Sequence, residues 1–386
     1  MTPQADAPEV TVHALPTETL RTARRLVVKV GSALLVDDAS GTLNREWMDA
    51  FADDIAACKA RGQEVIIVTS GAVATGRRHL GLVGRTLKLE EKQAAAATGQ
   101  IRLAHAWQEA LARHAITVAQ VLVTPEDTEV RQRHLNGRAT INTLLRLGAV
   151  PLINENDTVA TEELRFGDND RLAARVAQMA SADTLVLLSD IDGLYTADPK
   201  KDPAAKLIER VTEITPDIEA MADKPPPGFS SGGMITKIMA ARIAVNAGCR
   251  MAIALGRLMR PLSHLDTNRC TWFIPSSNPL SARKQWIAAH VTTQGVVHID
   301  DGALAALQRG KSLLPAGVTR VEGEFERGDA IVVKAADGRE IARGLATYSS
   351  EETSRIMGHQ SGEIDQILGD MGGRDVIIHR DDLVII

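Results

Sequence analysis

The chain has few of the residues that mark a disulfide scaffold, a zinc knuckle or a membrane protein. It contains three cysteines in 386 residues, and aromatic side chains make up only 3% of it. Cys58, Cys249 and Cys270 lie far apart, which excludes a disulfide framework and fits a reducing compartment. No apolar run approaches the length of a membrane span, and the first twenty residues contain no apolar signal-peptide core. We therefore expect a cytoplasmic protein that does not enter membranes.

Two common nucleotide-binding patterns are also missing. Neither the P-loop pattern GxxxxGK followed by Ser or Thr nor the dinucleotide pattern GxGxxG occurs, so neither site is supported. The net charge of -5 argues against general binding to polyanions. The length is sufficient for two domains, one of them with a large core.

The first two thirds of the chain alternate short apolar runs with helical patterns. Continuous apolar strands separated by helices predict a mostly parallel central sheet with helices on both faces, a three-layer αβα architecture. The predicted strands are Arg25–Val30, Glu64–Val68, Ile116–Val123, Ala149–Ile153, Thr184–Leu188 and Cys249–Ala254. Ligands of such sheets bind at the carboxyl ends of the strands.

The pattern changes near residue 281, where alternating apolar and polar residues and close turns begin. Short strands of this kind predict a small β-rich domain. We place the domain boundary near Asn278, which gives a first domain over residues 21–277 and a second over residues 278–386. The first 20 residues are predicted to be a disordered extension. The Pro-rich segment KPPPG at residues 224–228 fits either a linker or a loop over an active site.

The stretch from Pro151 to Arg171 carries the most information about function. The apolar strand runs directly into Asn154 and Asp157, and a second polar cluster follows at Gly167–Asp170. Asn and Asp also favour turns and helix N-caps for local reasons, so a single cluster indicates a turn more often than a site. Two clusters, with matching segments elsewhere, favour a site for a small polar substrate.

Cationic and hydroxyl side chains occur at other predicted strand ends. Lys29 lies two residues before Gly31, and Ser70 follows the second strand; either could instead be an ordinary strand residue or helix N-cap. Ser189 and Asp190 end a later strand. In the segment Ser231–Lys237, two glycines would allow the backbone to approach a phosphate, although an isolated Gly-Gly-Lys pattern is common.

Together these segments describe transfer of a phosphoryl group to a small carboxylate. The reaction needs two cations beside the moving group, which Lys29 and Lys237 would supply, and Asp170 would hold them in place. A carboxylate acceptor is already ionised at neutral pH, so no general base is required.

With these residues in view, the chain resembles the glutamate 5-kinases, a branch of the amino-acid kinase family. The resemblance rests on the motifs VVKVGS, VTSGAVATG, INENDTVATEELRFGDND, LLSDIDGLYTADP and SGGMITK, which occur in the family's order. It implies ATP-dependent phosphorylation of the side-chain carboxylate of L-glutamate to L-glutamyl 5-phosphate, the first step of proline biosynthesis.

The resemblance also implies which residues bind each substrate. Lys29, Lys237 and Asp170 would be catalytic, and glutamate would contact Ser70, Asn154, Asp157 and Asn169. ATP would contact Lys29, Ser189, Asp190, Ser231, Gly232, Gly233, Met234, Ile235, Thr236 and Lys237. Ser189 and Ser231 stand where family members commonly have Thr, a change that keeps the hydroxyl. No protein metal site is assigned, although the family implies a Mg²⁺ requirement, feedback inhibition by L-proline, a homo-oligomer and delivery of product to glutamyl phosphate reductase.

The C-terminal segments SLLPAGVTRVEGEFERGDAIVV and IMGHQSGEIDQILG are similar to the PUA domain. PUA domains elsewhere bind RNA, but residues 281–386 contain 12 Lys and Arg against 16 Asp and Glu, which disfavours nucleic acid. A structural or regulatory module is therefore preferred. Two alternatives remain: a kinase for aspartate or acetylglutamate, which the INEND and GDND clusters disfavour, and an RNA-binding regulator that keeps an inactive kinase fold.

Overall fold

The computed structural model describes residues 20–37, 41–160, 168–222, 233–265, 269–282, 284, 293–369 and 375–386. The predicted N-terminal extension lies almost wholly outside these residues, as do the Pro-rich segment and the site candidates Ser231 and Gly232. Within them the chain forms an eight-stranded sheet, a two-stranded hairpin and a five-stranded sheet. None of the helices in these ranges is long and apolar enough to cross a bilayer.

The larger sheet is built from the apolar runs of the sequence. Its strands are β1 (Arg25–Val30), β2 (Glu64–Thr69), β3 (Val118–Val123), β4 (Val150–Glu155), β5 (Thr184–Ser189), β8 (Arg210–Val211), β9 (Arg250–Leu255) and β10 (Cys270–Phe273), while β6 (Leu194–Tyr195) and β7 (Leu207–Ile208) form the hairpin. The order is β3-β4-β2-β1-β5-β9-β10-β8, and β10 is antiparallel to β9 whereas the other neighbours are parallel. The chain leaves β1 for β2 on one side and reaches β5 on the other, which opens a crevice at the carboxyl ends of these strands.

Helices cover both faces of this sheet and complete the three layers. They are α1 (Ser32–Leu35), α2 (Arg45–Ala60), α3 (Ala72–His79), α4 (Leu89–Ala112), α5 (Pro125–Glu129), α6 (Arg131–Arg146), α7 (Asn169–Ala180), α8 (Pro216–Ala220) and α9 (Met234–Asn246). Successive strand residues point to opposite faces, so Val28 packs in the core beneath α2 and α4, whereas Val27 packs beneath α6, α7 and α9. The predicted αβα architecture is confirmed.

Helices α3 and α4 cross at backbone contact through two glycines. A Cβ atom on Gly76 would lie 1.8 Å from the carbonyl oxygen of Ala95, and one on Gly99 would lie 1.8 Å from the carbonyl oxygen of Ala72. Any side chain at either position would force the helices apart. The crossing therefore holds the start of α3, which begins two residues after Ser70, against α4.

The second sheet forms the β-rich C-terminal unit. Its strands are β11 (Thr293–Ile299), β12 (Val318–Glu322), β13 (Ala330–Lys334), β14 (Glu340–Leu345) and β15 (Leu383–Ile385), in the order β12-β11-β13-β14-β15. Helices Asp301–Gln308, Ser350–Ile356 and Ile364–Leu368 accompany them, with 3₁₀ turns at Leu20–Thr22 in the first unit and at Pro315–Gly317, Ser361–Glu363 and Arg380–Asp382 in the second. Strands β11 and β13 are parallel, and the other neighbouring pairs are antiparallel.

Helix α6 joins the two units through one of its faces. Nη1 of Arg138 lies 3.2 Å from Oδ1 of Asp382, and the two side chains are only 13% and 9% exposed. Leu135, one turn earlier on the same face, packs so closely on Gly328 that a Cβ there would lie 2.0 Å from Leu135 Cδ1. The C-terminal unit is thus docked on α6 by an apolar contact and a largely buried ion pair.

Replacing Arg138 with Ala should lower the free energy of unfolding by about 3 kcal/mol, because the buried carboxylate of Asp382 would lose the Arg138 charge. Urea denaturation of the purified protein measures this change. The matched control is Arg320→Ala, which removes an ion pair with Glu322. The side chains of Arg320 and Glu322 are 68% and 37% exposed, so their ion pair should contribute less than about 1 kcal/mol. Equal unfolding midpoints for the two variants would contradict a stabilising contact between the units.

Candidate active site

Two lysines that are distant in the sequence meet at one buried carboxylate. Lys29 lies in β1, and its Nζ is 2.7 Å from Oδ1 of Asp170. Lys237 lies near the start of α9, and its Nζ is 2.9 Å from Oδ2 of the same residue. Asp170 is 1% exposed and Lys237 is 8% exposed. The sequence-predicted trio is therefore brought together, with one carboxylate bridging two ammonium groups.

The electrostatics of the trio keep Asp170 ionised. Burial alone would raise the pKa of Asp170, but the positive charges and hydrogen bonds of Lys29 and Lys237 outweigh it and lower the pKa to about 2. The folded-state pKa lies below the ordinary value of 3.8, so this contribution to stability is present above pH 3.8 and is lost as the pH falls towards 2. Burial, and then the charge of Asp170, raise the pKa of neighbouring Asp168.

The candidates for the acceptor site form a hydrogen-bonded network at the ends of β2 and β4. Nδ2 of Asn169 donates to the carbonyl oxygen of Thr69 at 2.7 Å, to Oγ of Ser70 at 2.6 Å and to Oδ1 of Asn154 at 3.1 Å. Asn169 is the first residue of α7, and the side chain of Asp168 caps this helix by accepting from the N–H of Arg171 at 2.8 Å. Asn169 and Asp170 are therefore presented together by one helix N-terminus.

The candidates for the nucleotide site lie across the trio, at the end of β5 and the start of α9. Ser189 ends β5, and its hydroxyl donates to Oδ1 of the exposed Asp190 at 3.1 Å. Gly233 is the N-cap residue of α9 with a φ of 138°, a conformation that favours glycine, and Met234 begins the helix. Ile235 lies in the first turn of this helix, partly buried beside the core of α7 and α9.

One open cleft of about 1080 Å³ connects these groups. Its walls include eleven of the predicted site residues: Lys29, Ser70, Asn154, Asp157, Asn169, Asp170, Ser189, Asp190, Gly233, Met234 and Lys237. Ile235 and Thr236 do not line it. The predicted residues on the walls come from the ends of β1, β2, β4 and β5 and from the starts of α7 and α9, as expected for the switch point of a parallel sheet.

Several residues with clear positions at the site were not predicted or were given another role. Oγ1 of Thr236 donates to Oδ2 of Asp170 at 3.2 Å, so this residue supports the carboxylate. Gln100 accepts a hydrogen bond from Asn154, and Asp168 and Glu155 line the cleft. The cap position of Asp168 before an apolar helix was readable from the sequence. Gln100 gave no such signal, because it lies within an ordinary Ala-rich helix.

The cleft places fixed positive charges beside a cluster of neutral donors and acceptors, at the ends of parallel strands. Such an arrangement can hold an anionic phosphoryl group between two substrates and stabilise its charge during transfer. No group of three or more His, Cys, Asp or Glu side chains in the described ranges is arranged to hold a metal ion. The fold and the cleft define the protein as a phosphotransferase.

Comparison with known proteins gives the same class. The amino acid kinase family matches residues 24–254, and the PUA domain matches residues 295–368. The chain is 64% identical to the glutamate 5-kinase of Paramagnetospirillum magneticum, over 95% of this chain and 99% of that one. It is 58% identical to the glutamate 5-kinase of Dinoroseobacter shibae (95% and 100% covered) and 57% identical to that of Agrobacterium fabrum (96% and 95%). The chain belongs to the amino acid kinase family, in its glutamate 5-kinase branch, and the resemblance predicted from its motifs is confirmed.

Proposed function

We propose that the protein transfers the γ-phosphoryl group of ATP to the side-chain carboxylate of L-glutamate, giving L-glutamyl 5-phosphate in the first step of proline biosynthesis. The observation that carries this proposal is the bridging of Lys29 and Lys237 by Asp170, directly beside the acceptor network on Asn169. The activity named for the three relatives supports the choice of acceptor.

In this proposal the acceptor lies over the network at the ends of β2 and β4. The ammonium group of glutamate needs hydrogen-bond acceptors, which the Asp157 carboxylate and Oδ1 of Asn154 supply. Its carboxylates need donors: the hydroxyl of Ser70 accepts from Asn169 and can donate its own proton to a carboxylate, while the Asn169 amide holds Ser70 and Asn154 in place beside the acceptor. All four residues line the cleft.

ATP would bind on the opposite side of the trio. Of the expected contacts, Ser189, Asp190, Gly233, Met234 and Lys237 line the cleft, Ile235 and Thr236 do not, and Ser231 and Gly232 lie outside the described residues. The N-terminus of α9, a helix of 13 residues, directs backbone N–H groups towards the cleft and favours a phosphate there. Mg²⁺ would enter as part of the nucleotide substrate, bound to its phosphate oxygens.

The proposed chemistry is an in-line displacement at phosphorus. A carboxylate oxygen of glutamate forms a bond to the γ-phosphorus while the bond from that phosphorus to the β–γ bridging oxygen breaks, and ADP leaves. The acceptor is already an anion at neutral pH, so no residue has to remove a proton. Lys29 and Lys237 lie beside the transferred oxygens, and Asp170 keeps both ammonium groups in place.

A test of the acceptor assignment compares parent and Asp157→Ala with L-glutamate, L-aspartate and N-acetyl-L-glutamate. We expect the parent to prefer L-glutamate and the variant to raise the Michaelis constant for glutamate about tenfold or more, because it loses a charged partner of the ammonium group. The turnover number should change little, since the lysines are intact. Steady-state kinetics with saturating ATP and Mg²⁺ measure both constants.

The control for this test is Asp365→Ala, which removes an exposed carboxylate from a C-terminal helix and should leave both constants unchanged. A Michaelis constant for glutamate that is the same in Asp157→Ala and the parent would remove Asp157 from the acceptor site. Preference for L-aspartate or the acetylated substrate would keep the kinase and replace its acceptor.

We further propose that L-proline inhibits the enzyme by competing at this acceptor site, since proline and glutamate share the α-amino acid head group. In this proposal the enzyme is a cytoplasmic homo-oligomer. It passes its unstable acyl phosphate product to glutamyl phosphate reductase in a transient contact. The acidic balance of the C-terminal unit and its docking on α6 support a structural or regulatory role rather than binding of nucleic acid.

A further inference from the structure

Helix α4 carries three side chains that hydrogen-bond to residues at the carboxyl ends of β2 and β4 or in the segment that follows β4. Gln93, Gln100 and Trp107 are spaced seven residues apart and so lie along one face of the helix. Nε1 of Trp107 donates to Oγ1 of Thr69 at 3.1 Å, and Nε2 of Gln93 donates to the carbonyl oxygen of Ala160 at 3.0 Å. Between them, Oε1 of Gln100 accepts from Nδ2 of Asn154 at 2.8 Å.

The directions of the hydrogen bonds that link Asn169, Asn154 and Gln100 follow from one backbone carbonyl. The oxygen of Thr69 can only accept, so the atom of Asn169 that faces it must be the NH₂ group. That group can only donate to Asn154, which must therefore present Oδ1. Nδ2 of Asn154 then faces Gln100, which must present Oε1. An amide at Asn154 that turned over would place two NH₂ groups against each other.

Gln100 does not reach the cleft itself and can influence it only through its hydrogen bond to Asn154. Its side chain is 7% exposed and does not line the cleft, whereas Asn154 does. Its Nε2 atom is buried and makes no hydrogen bond within the described residues, so Oε1 is the atom that links it to the site. Losing this acceptor would leave Nδ2 of Asn154 buried without a partner and remove the restraint on its orientation.

We infer that Gln100 is a positioning residue for the amino-acid acceptor: it holds the carbonyl oxygen of the Asn154 side chain towards the acceptor's ammonium group and towards Asn169. This inference rests on the function proposed above, in which Asn154 binds L-glutamate. It assigns a specificity role to α4, a helix that contributes no predicted site residue.

The test uses two substitutions of similar size. Gln100→Met keeps the shape but removes the amide acceptor, and we expect it to raise the Michaelis constant for L-glutamate about tenfold. The turnover number and the Michaelis constant for ATP should each change less than about threefold. Gln100→Glu keeps an oxygen at the Oε1 position, so it should restore the glutamate constant to within about threefold of the parent.

A merely structural role would lower the unfolding midpoint without this separation of constants, and thermal unfolding of each variant measures that midpoint. Gln108→Met, at an exposed position of the same helix, is the control and should match the parent in all respects. An unchanged glutamate constant in Gln100→Met, or equal defects in the Met and Glu variants, would overturn the positioning role alone. A parent enzyme without glutamate-dependent turnover would overturn the proposed function and this inference with it.

Discussion

Substituting Lys237 with Ala is expected to lower the turnover number by about a thousandfold while leaving the affinity for L-glutamate within about threefold of the parent. The ammonium group of Lys237 would stabilise charge on the transferred phosphoryl oxygens and would not touch the acceptor. The fold should survive the change, because Asp170 keeps the Lys29 ammonium group at 2.7 Å and the Thr236 hydroxyl at 3.2 Å. Steady-state kinetics and calorimetric titration with L-glutamate measure the two quantities.

Further variants test whether catalysis needs the exact position of the Lys237 ammonium group or only a positive charge there. Lys237→Arg keeps a positive charge but should stay severely impaired, because a planar guanidinium does not fit a site built around a compact ammonium group on a side chain that is only 10% exposed. Lys206→Ala, an exposed lysine of the same domain, is the control and should turn over like the parent. The double variant Lys29→Ala, Lys237→Ala should lose much less than the product of the single losses, since both lysines act on one group. Full turnover in Lys237→Ala would contradict the two-lysine account.

The largest expected loss of stability comes from Gly99→Ala. Its Cβ would lie 1.8 Å from the carbonyl oxygen of Ala72, about half of a normal contact distance, so α3 and α4 would have to separate along their crossing. We expect the free energy of unfolding to fall by about 3 kcal/mol or more, even though Ala is the better helix former. Turnover should fall as well, since separating the two helices displaces both Ser70, which precedes α3, and Gln100, which lies in α4.

Gly137→Ala is the matched control, since Gly137 lies inside helix α6 (Arg131–Arg146). There the nearest atom to the added Cβ is the flexible Sδ of Met179 at 3.3 Å. The helix-propensity gain is the same in both variants, about 1 kcal/mol, so the difference between them isolates the close contact. Chemical denaturation provides both values. Equal stability of the two variants would mean that the backbone contact between α3 and α4 does not constrain the fold.

The sequence predicted those features of the fold that depend on local pattern. Buried strands such as β2 and β5 are continuous apolar runs. Because helices separate these strands in the sequence, a parallel sheet with helices on both faces is expected. The carboxyl ends of parallel strands converge, so the polar residues that follow β1, β2, β4 and β5 could be assigned to one site before the structure was known. Motif order then indicated the family.

Features that depend on pairing between distant residues could not be predicted. Gln100 and Asn154 are 54 residues apart, and Arg138 and Asp382 are 244 residues apart. The approach of Gly76 to Gly99 likewise needs the crossing angle of two helices. In the C-terminal unit, β15 consists of three residues, too few for a periodic pattern.

The most direct test of the account is trapping of the product with hydroxylamine. Purified protein would be incubated with ATP, Mg²⁺, L-glutamate and hydroxylamine, and glutamyl hydroxamate and ADP would be quantified. The account predicts hydroxamate and ADP in equal amounts, both dependent on L-glutamate and both formed about a thousandfold more slowly by Lys237→Ala. ADP release without hydroxamate, or hydroxamate formed by the variant at the rate of the parent, would contradict phosphoryl transfer to the side-chain carboxylate between the two lysines.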